Sequence, residues 1–306
     1  MNTNWFVIIN PKSGHGSAKK KWPLIKKELI IQNFDFEYEF TKHHNHAVEL
    51  VKQAIIKEFT KFICVGGDGT IHHLVNGILH LNPSNKNELK IGVIPIGTGN
   101  DWIKTYKISK NYKKSIAIIK NENTISQDIG KIKIKESNKI IYFNNLAGIG
   151  FDGYVVNKVS KFKHLGFLAY LTGALVSLTS YNKSTLEIKF NNIIIKQKTL
   201  LFLIGLCKFS GGGMQLTKNA NPTDSLFDIT HVSKITLFTI LSNLRGLFNG
   251  NLTNHKSVNN YKTSQLKIKV LDNQLTYIQA DGELIGSGNF KVKLLPKAIN
   301  FIVPKP

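Results

Sequence analysis

The chain has 306 residues, 42% of them hydrophobic, with 41 Lys and Arg against 19 Asp and Glu, a formal net charge of +22. That length and apolar content support one large or two medium domains with real cores. The two cysteines, Cys64 and Cys207, both lie in apolar runs, which excludes a disulfide framework and reads as buried thiols in a reducing compartment.

Taken in chain order, residues 5–10 form an apolar run that predicts a buried strand. Residues 17–31 carry Trp22, Ile25 and Leu29 on one helical face. Residues 34–40 alternate strictly between aromatic and acidic, so one face of that strand is solvated. Ala47, Leu50, Val51, Ala54 and Ile55 mark the next helix. Residues 62–65 and 91–95 are further short strands, and between them Ile71, Leu74, Val75 and Ile78 fall at i, i+3, i+4 and i+7 of a helix. This βαβα order predicts an α/β domain with a mostly parallel sheet and ligands at the carboxyl ends of the strands.

After about Asp128 the texture changes. Residues 129–135 and 139–146 read as paired strands, and 186–190 and 193–198 flank Asn191-Asn192, a two-residue hairpin turn. Further strands are expected over 200–207, 227–232, 266–271, 275–280 and 290–295, with helical insertions at about 154–181 and 236–249. The expected organisation is therefore 1–128 as an α/β domain and 129–295 as a mainly antiparallel β-rich domain, with residues 296–306 returning to the first. The N-terminus runs into Trp5-Phe6-Val7 without the leader of a signal peptide. The longest apolar stretch, residues 165–178, is shorter than the roughly 20 residues of a membrane span, so a cytoplasmic protein is expected.

Four glycine- or carboxylate-rich stations fall at strand ends. Asn10-Pro11-Lys12-Ser13-Gly14-His15-Gly16 offers N–H groups and a hydroxyl to phosphates, without the Gly-Lys-Ser/Thr of a Walker A loop. Gly66-Gly67-Asp68-Gly69-Thr70 joins a strand to a helix start, where glycine allows close approach and free N–H groups attract anions. Asp68 is the odd member, because a carboxylate beside phosphates repels them unless a metal or a proton transfer is involved. Pro95-Ile96-Gly97-Thr98-Gly99-Asn100-Asp101 is the third station, with Asp101 also readable as a helix cap. The fourth comprises Gly211–Gly213, Asn221-Pro222-Thr223-Asp224-Ser225-Leu226 and Asp281-Gly282-Glu283. Phosphoryl transfer needs a metal on the phosphate oxygens and a carboxylate to take the acceptor's proton. Asp68, Asp224 and Glu283 supply these only if the two domains face each other across a cleft. Two patterns are set aside. Gly148-Ile149-Gly150-Phe151-Asp152-Gly153 matches a dinucleotide fingerprint but lacks its acidic residue about 20 positions on. His43, His44 and His46 lack cysteine and contain one i, i+3 pair.

The stations at 10–14, 66–70 and 95–101, with Val75-Asn76-Gly77, 147–152, 211–213 and 281–283, resemble the diacylglycerol kinase catalytic-domain family, which includes sphingosine and ceramide kinases. The resemblance covers nearly the whole chain. It implies a nucleotide-binding N-terminal domain, a β-rich lipid-substrate domain, ATP as donor, Mg²⁺ as cofactor and a lipid hydroxyl as acceptor. On this resemblance Asn10, Pro11, Lys12, Ser13, Gly14, Thr41, Gly67, Asp68, Gly69, Thr70, Ile71, His72, His73 and Thr98 line the nucleotide. Asp68 organises the metal–phosphate network through water, Glu283 is the general base, and Asp224 binds Mg²⁺ with backbone oxygens of Asn221 and Leu226. One departure stands out: Ser225 occupies a position where the family often has Gly, which costs strain if φ is positive there.

Residues 129–306 carry +15 of the +22 charge (22 Lys and one Arg against 8 acids). This fits peripheral docking on anionic lipid as well as it fits compositional drift. With a single Arg and no aromatic–basic reader motif, nucleic acid is not expected as a partner, and a homodimer is left open. Phe167, Leu168, Leu171, Leu175 and Leu178 read either as plain core or as an acyl-chain pocket. Two other functions stay in view: a kinase of a soluble acceptor such as NAD, and a catalytically silent membrane- or nucleotide-binding module.

Overall fold

A computed structural model describes residues 2–159 and 167–305, with side chains other than those of residues 2, 3, 159 and 167–171. The chain divides into two compact units, Met1–Gln127 with Lys297–Pro306, and Asp128–Pro296.

In the first unit β1 (Asn2–Ile9), α1 (Ser17–Ile31), β2 (Phe36–Phe40), α2 (His46–Ile56), β3 (Phe59–Gly66), α3 (Asp68–Leu81), β4 (Lys90–Pro95), α4 (Trp102–Thr105) and α5 (Tyr112–Lys120) follow in order. The strands pair in parallel as β2-β1-β3-β4. The end of the last strand of the chain, β16 (Phe290–Ile302), adds beside β4 with Asn300 opposite Lys90. Val7, Ile8 and Ile9 of β1 and Phe62, Ile63, Cys64 and Val65 of β3 are fully buried. Strands covered on both faces read as unbroken apolar runs, the signal the sequence carries there. Trp22, Ile25 and Leu29 of α1 are buried as expected, and the Trp22 ring meets Phe36 and Phe40 of the edge strand β2.

The second unit is antiparallel. β5 (Thr124–Ile134) leads into it and pairs with β6 (Ile140–Phe143). One sheet contains β7 (Leu146–Gly150), β10 (Leu201–Gly205), β11 (Phe227–Val232), β12 (Val258–Thr263), β14 (Tyr277–Ala280) and β15 (Glu283–Ser287), ordered β12-β11-β10-β7-β14-β15. The beginning of β16 pairs with β13 (Gln265–Val270), followed by β8 (Ser184–Phe190) and β9 (Ile193–Thr199). Asn191, at φ 49°, turns the β8–β9 hairpin where Asn191-Asn192 is expected to. The expected insertion at 154–181 becomes α6 (Phe151–Val159) and α7 (Phe167–Ser180), and that at 236–249 becomes α8 (Leu237–Ser242) and α9 (Leu244–Asn249). The side chains of Phe167, Leu168 and Leu171 lie outside the described residues. Among the described residues no helix is long and apolar enough to cross a membrane. Both cysteines are buried free thiols.

Candidate active site

The parallel order β1-β3-β4 brings three of the predicted stations side by side at the carboxyl ends of their strands. Asn10 N donates to Val65 O (3.0 Å) and Ile96 N to Gly66 O (2.8 Å), so the sheet ladder continues into the loops. Asn10 Nδ2 also donates to Thr70 Oγ1 (3.2 Å), and Thr98 Oγ1 lies 3.3 Å from His15 Nε2. Gly14, His15 and Gly16 all have positive φ, curling the first loop tightly. A Cβ on Gly97 would lie 2.9 Å from Gly67 Cα and 2.5 Å from Asn100 Oδ1. Gly97→Ala therefore forces two backbone loops apart and is expected to cost about 1–3 kcal/mol, read as a lowered urea midpoint. Unchanged stability would mean that the loops are not in contact.

Asp68 opens α3 and reaches the start of α4. Its Oδ2 accepts Asp101 N (2.9 Å) and its Oδ1 accepts Trp102 N (3.1 Å). The carboxylate thus serves as a cap supplied from a distant turn, filling amides that a helix start leaves open. Asp101 sits at the cap position but makes no side-chain cap bond. It pairs instead with Lys104 Nζ at 2.6 Å, which corrects the expectation that it caps the helix. Asn100 donates from Nδ2 to Gly97 O, and its buried Oδ1 has no hydrogen-bond partner among the described residues.

Thr41 follows β2 and donates its N–H to Ile9 O (2.8 Å), beside the first loop. Ile71 and His72 are buried within α3, with Asn76 donating to His72 O (2.8 Å). His73 packs against His44. Burial, helped by His72 and His44, pushes its imidazole down to about 4, so it is neutral at pH 7.

In the second unit, Asp281 and Gly282 form the two-residue turn between β14 and β15, with φ values of 51° and 81°, and Ala280 faces Glu283 across it. Two positive φ values are the signature of a type I′ hairpin, for which Asp-Gly is a preferred pair. The Asp281 carboxylate accepts three backbone N–H groups, from Asn144 (3.0 Å), Asn145 (2.9 Å) and Leu146 (3.1 Å). Gly282 N donates to Gln279 Oε1 (2.9 Å), and Gln279 Nε2 donates to Asp152. The half-buried Glu283 is held at the end of this bonded turn.

Ser225 has φ 61°, the left-handed conformation that favours Gly, and donates its N–H to Asp128 Oδ2 (2.7 Å). Asp224 Oδ2 pairs with Lys262 Nζ at 2.7 Å, and Asp224 Oδ1 accepts Leu226 N. A carboxylate and nearby carbonyl oxygens are the hard donors that Mg²⁺ takes. The Lys262 ammonium already matches a cation to this loop, so the donor set fits such an ion in exchange for Lys262. Burial pushes the neighbouring Asp228 carboxyl from 3.8 up to about 6, with Lys262 opposing and Asp224 adding to the shift. A raised folded-state value means that the folded chain binds this proton more tightly than the unfolded chain. Its stabilising effect is full below pH 3.8 and is lost as pH rises through 6. Asp228→Asn is expected to raise the thermal midpoint above pH 6 and to have no effect below about pH 4, as thermal scans across that range would show.

A cavity of about 150 Å³ lies within the second unit, lined almost wholly by apolar groups including Leu175 and Leu178 of α7, Leu201 and Leu203 of β10, and Leu247 of α9. Asp152 is on its wall and connects through Gln279 to the turn bearing Glu283.

Residues 4–132 match the family described as Diacylglycerol kinase catalytic domain, and residues 145–303 match the family described as YegS C-terminal NAD kinase beta sandwich-like domain. The chain belongs to the diacylglycerol kinase catalytic-domain family. Membership makes it a kinase, a phosphotransferase. It is 28% identical to a diacylglycerol kinase of Bacillus subtilis (strain 168), covering 98% of this chain and 96% of that one. It is 26% identical to a diacylglycerol kinase of Staphylococcus haemolyticus (strain JCSC1435), covering 98% and 88%. A crystal structure of a diacylglycerol kinase from Bacillus anthracis str. Sterne shares the fold, with TM-score 0.72, 19% identity, and coverage of 98% and 97%. The fold class read from the sequence, an α/β domain with a mostly parallel sheet and a mainly antiparallel β-rich domain, is that of the diacylglycerol kinase family.

Of the family positions carried over from the resemblance, Asn10 to Gly14, Gly67 to Thr70 and Thr98 gather at the strand ends of the first unit. Ile71 and His72 instead turn into its core. The sequence reading missed the Asp101 and Trp102 amides on Asp68, and it missed Asp281 as the anchor of the Glu283 turn. The signal for the latter was present: Asp-Gly after a strand is a hairpin mark.

Proposed function

We propose that this kinase uses ATP and Mg²⁺ to phosphorylate a lipid hydroxyl of the diacylglycerol type. The observation that carries the acceptor class is the leucine-lined cavity, whose one charged wall residue among the described residues, Asp152, is tied to the Glu283 turn. Apolar lining favours an acyl chain over a dinucleotide, because burying polar groups without partners costs free energy.

The first unit takes the donor. The N–H groups of the 10–14 loop, the start of α3 with Gly67 to Thr70, and Thr98 bind the phosphates, and Asp68 fixes the geometry of these loops through α4. The second unit takes the acceptor. Glu283 removes the proton from the lipid hydroxyl, the oxygen attacks the γ-phosphorus, and ADP leaves with the broken bond's electrons. Asp224, with backbone oxygens of Asn221 and Leu226, would hold Mg²⁺, which neutralises phosphate charge when bound. Asp152 and Gln279 orient the turn that carries the base. Peripheral docking on anionic lipid belongs to this reading. Phe238 is 80% exposed and Val176 64% exposed on α8 and α7, the helices whose Ile240 and Leu175 line the cavity.

The test is transfer of labelled γ-phosphate from Mg-ATP to a lipid panel in mixed micelles, with and without anionic lipid, and with NAD alongside. Label on a lipid, increased by anionic lipid and weakened by salt, is expected. Label only on NAD would move the acceptor to soluble dinucleotides and overturn the lipid reading.

A further inference from the structure

The histidine cluster set aside on sequence spacing gains a third donor in the structure. His43 lies in the turn before α2, and His46 N donates to His43 O (3.2 Å), closing a single tight turn. Residues three apart in such a turn eclipse one another, and His46 and Glu49 are again three apart in the first turn of α2. His43, His46 and Glu49 therefore share one face. The His43 and His46 rings are 4.8 Å apart, His43 Nε2 is 3.6 Å from Glu49 Oε2, and the three donor atoms all lie within 4.8 Å of one another. Tetrahedral ligands at about 2.0–2.1 Å from a zinc ion stand roughly 3.3 Å apart, so modest side-chain rotations close the set.

We propose that His43, His46 and Glu49 form a binding site for a borderline transition-metal dication such as Zn²⁺, with the fourth position left to water. Two imidazoles and one carboxylate are the three-ligand set of an open zinc site, and imidazole selects Zn²⁺ or Co²⁺ over Mg²⁺. This site lies outside the phosphoryl-transfer machinery and does not rest on that reading.

The backbone supplies a specific reporter. Lys42 N donates to His46 Nδ1 at 3.1 Å. A metal on Nδ1 takes the lone pair that accepts this bond. A metal on Nε2 requires the proton on Nδ1, which then faces the Lys42 N–H as a second donor. Either way metal binding breaks this hydrogen bond, one residue from Thr41.

The competing account is a metal-free pair in which Glu49, near the N-terminus of α2, contacts protonated His43. The two are separated by titrating Zn²⁺ into the tag-free full-length chain in the presence of excess Mg²⁺, following heat and the Lys42 amide in ¹H–¹⁵N spectra. One equivalent is expected to bind and move the Lys42 amide. Co²⁺ is expected to give a tetrahedral d–d absorption band. His46→Ala and Glu49→Gln should each weaken Zn²⁺ binding at least about tenfold with unchanged thermal midpoints. Glu49→Gln keeps shape and alone decides if His46→Ala folds poorly. No saturable binding, or binding that survives both variants and leaves the Lys42 amide in place, overturns the site.

Discussion

Glu283→Gln is expected to lower kcat by about 10²–10⁴-fold, the range that a positioned general base contributes, while the protein stays folded. Glu283 begins β15 and is half-buried, and the turn it follows is bonded by Asp281 and Gln279. Gln preserves volume and strand register and replaces the proton-accepting carboxylate with a neutral amide. KM for ATP should change little, because the residues read as binding the donor belong to the other unit. Steady-state kinetics with a saturating lipid acceptor gives the answer. A folded variant with normal turnover would remove Glu283 from the mechanism and leave the proton's destination to another group.

Asp281→Ala should be the most damaging single change to the stability of the second unit. It removes the acceptor of three backbone N–H groups from residues 144–146 and places a Cβ-bearing residue without Asp's local hydrogen bonding at φ 51°. Each buried donor left unpaired costs about 1–3 kcal/mol, and the left-handed conformation adds roughly 1 kcal/mol for Ala. A total loss above about 3 kcal/mol is expected. Asp281→Asn, which keeps one acceptor oxygen and tolerates positive φ, should lose clearly less. Urea unfolding followed by hydrogen exchange at residues 144–146 distinguishes this anchoring role from a catalytic one. Equal stability of the Ala variant and the parent would show that these amides find other partners.

The parts of the fold legible in sequence are those where burial is uniform. β1, β3 and β4 read as strands because both faces are covered, and α1, α2 and α3 read as helices because each buries one stripe. β12, Val-Asn-Asn-Tyr-Lys-Thr, escaped notice because it is an edge strand with little apolar content. β15 escaped because Gly286 and the charged start of Glu-Leu-Ile-Gly-Ser break the pattern. In the site, residue types were visible but long-range partners were not. Asp68 stood out as a carboxylate among glycines, yet its amide partners lie 33 and 34 residues on and come near only because β3 and β4 are neighbours. Glu49 likewise joined the histidines only once the turn geometry was known. Ser225 was legible as a strained substitution, and its φ of 61° has the sign that makes it so.

The return of residues 297–306 to the first unit has a consequence during synthesis. β4 gains its second neighbour only from Asn300 and Phe301, and the Phe301 ring packs against Trp102, tilted, with centroids 4.4 Å apart. All of 128–296 must emerge first, which takes roughly 10–30 s at ordinary ribosomal rates of about 5–20 residues per second. Throughout that interval the nascent N-terminal half carries an open strand edge, a template for wrong pairing. The second unit, contiguous in sequence, can complete itself while its predecessor waits. Chaperone dependence should therefore follow the codons for residues 297–306 rather than the length of the N-terminal half.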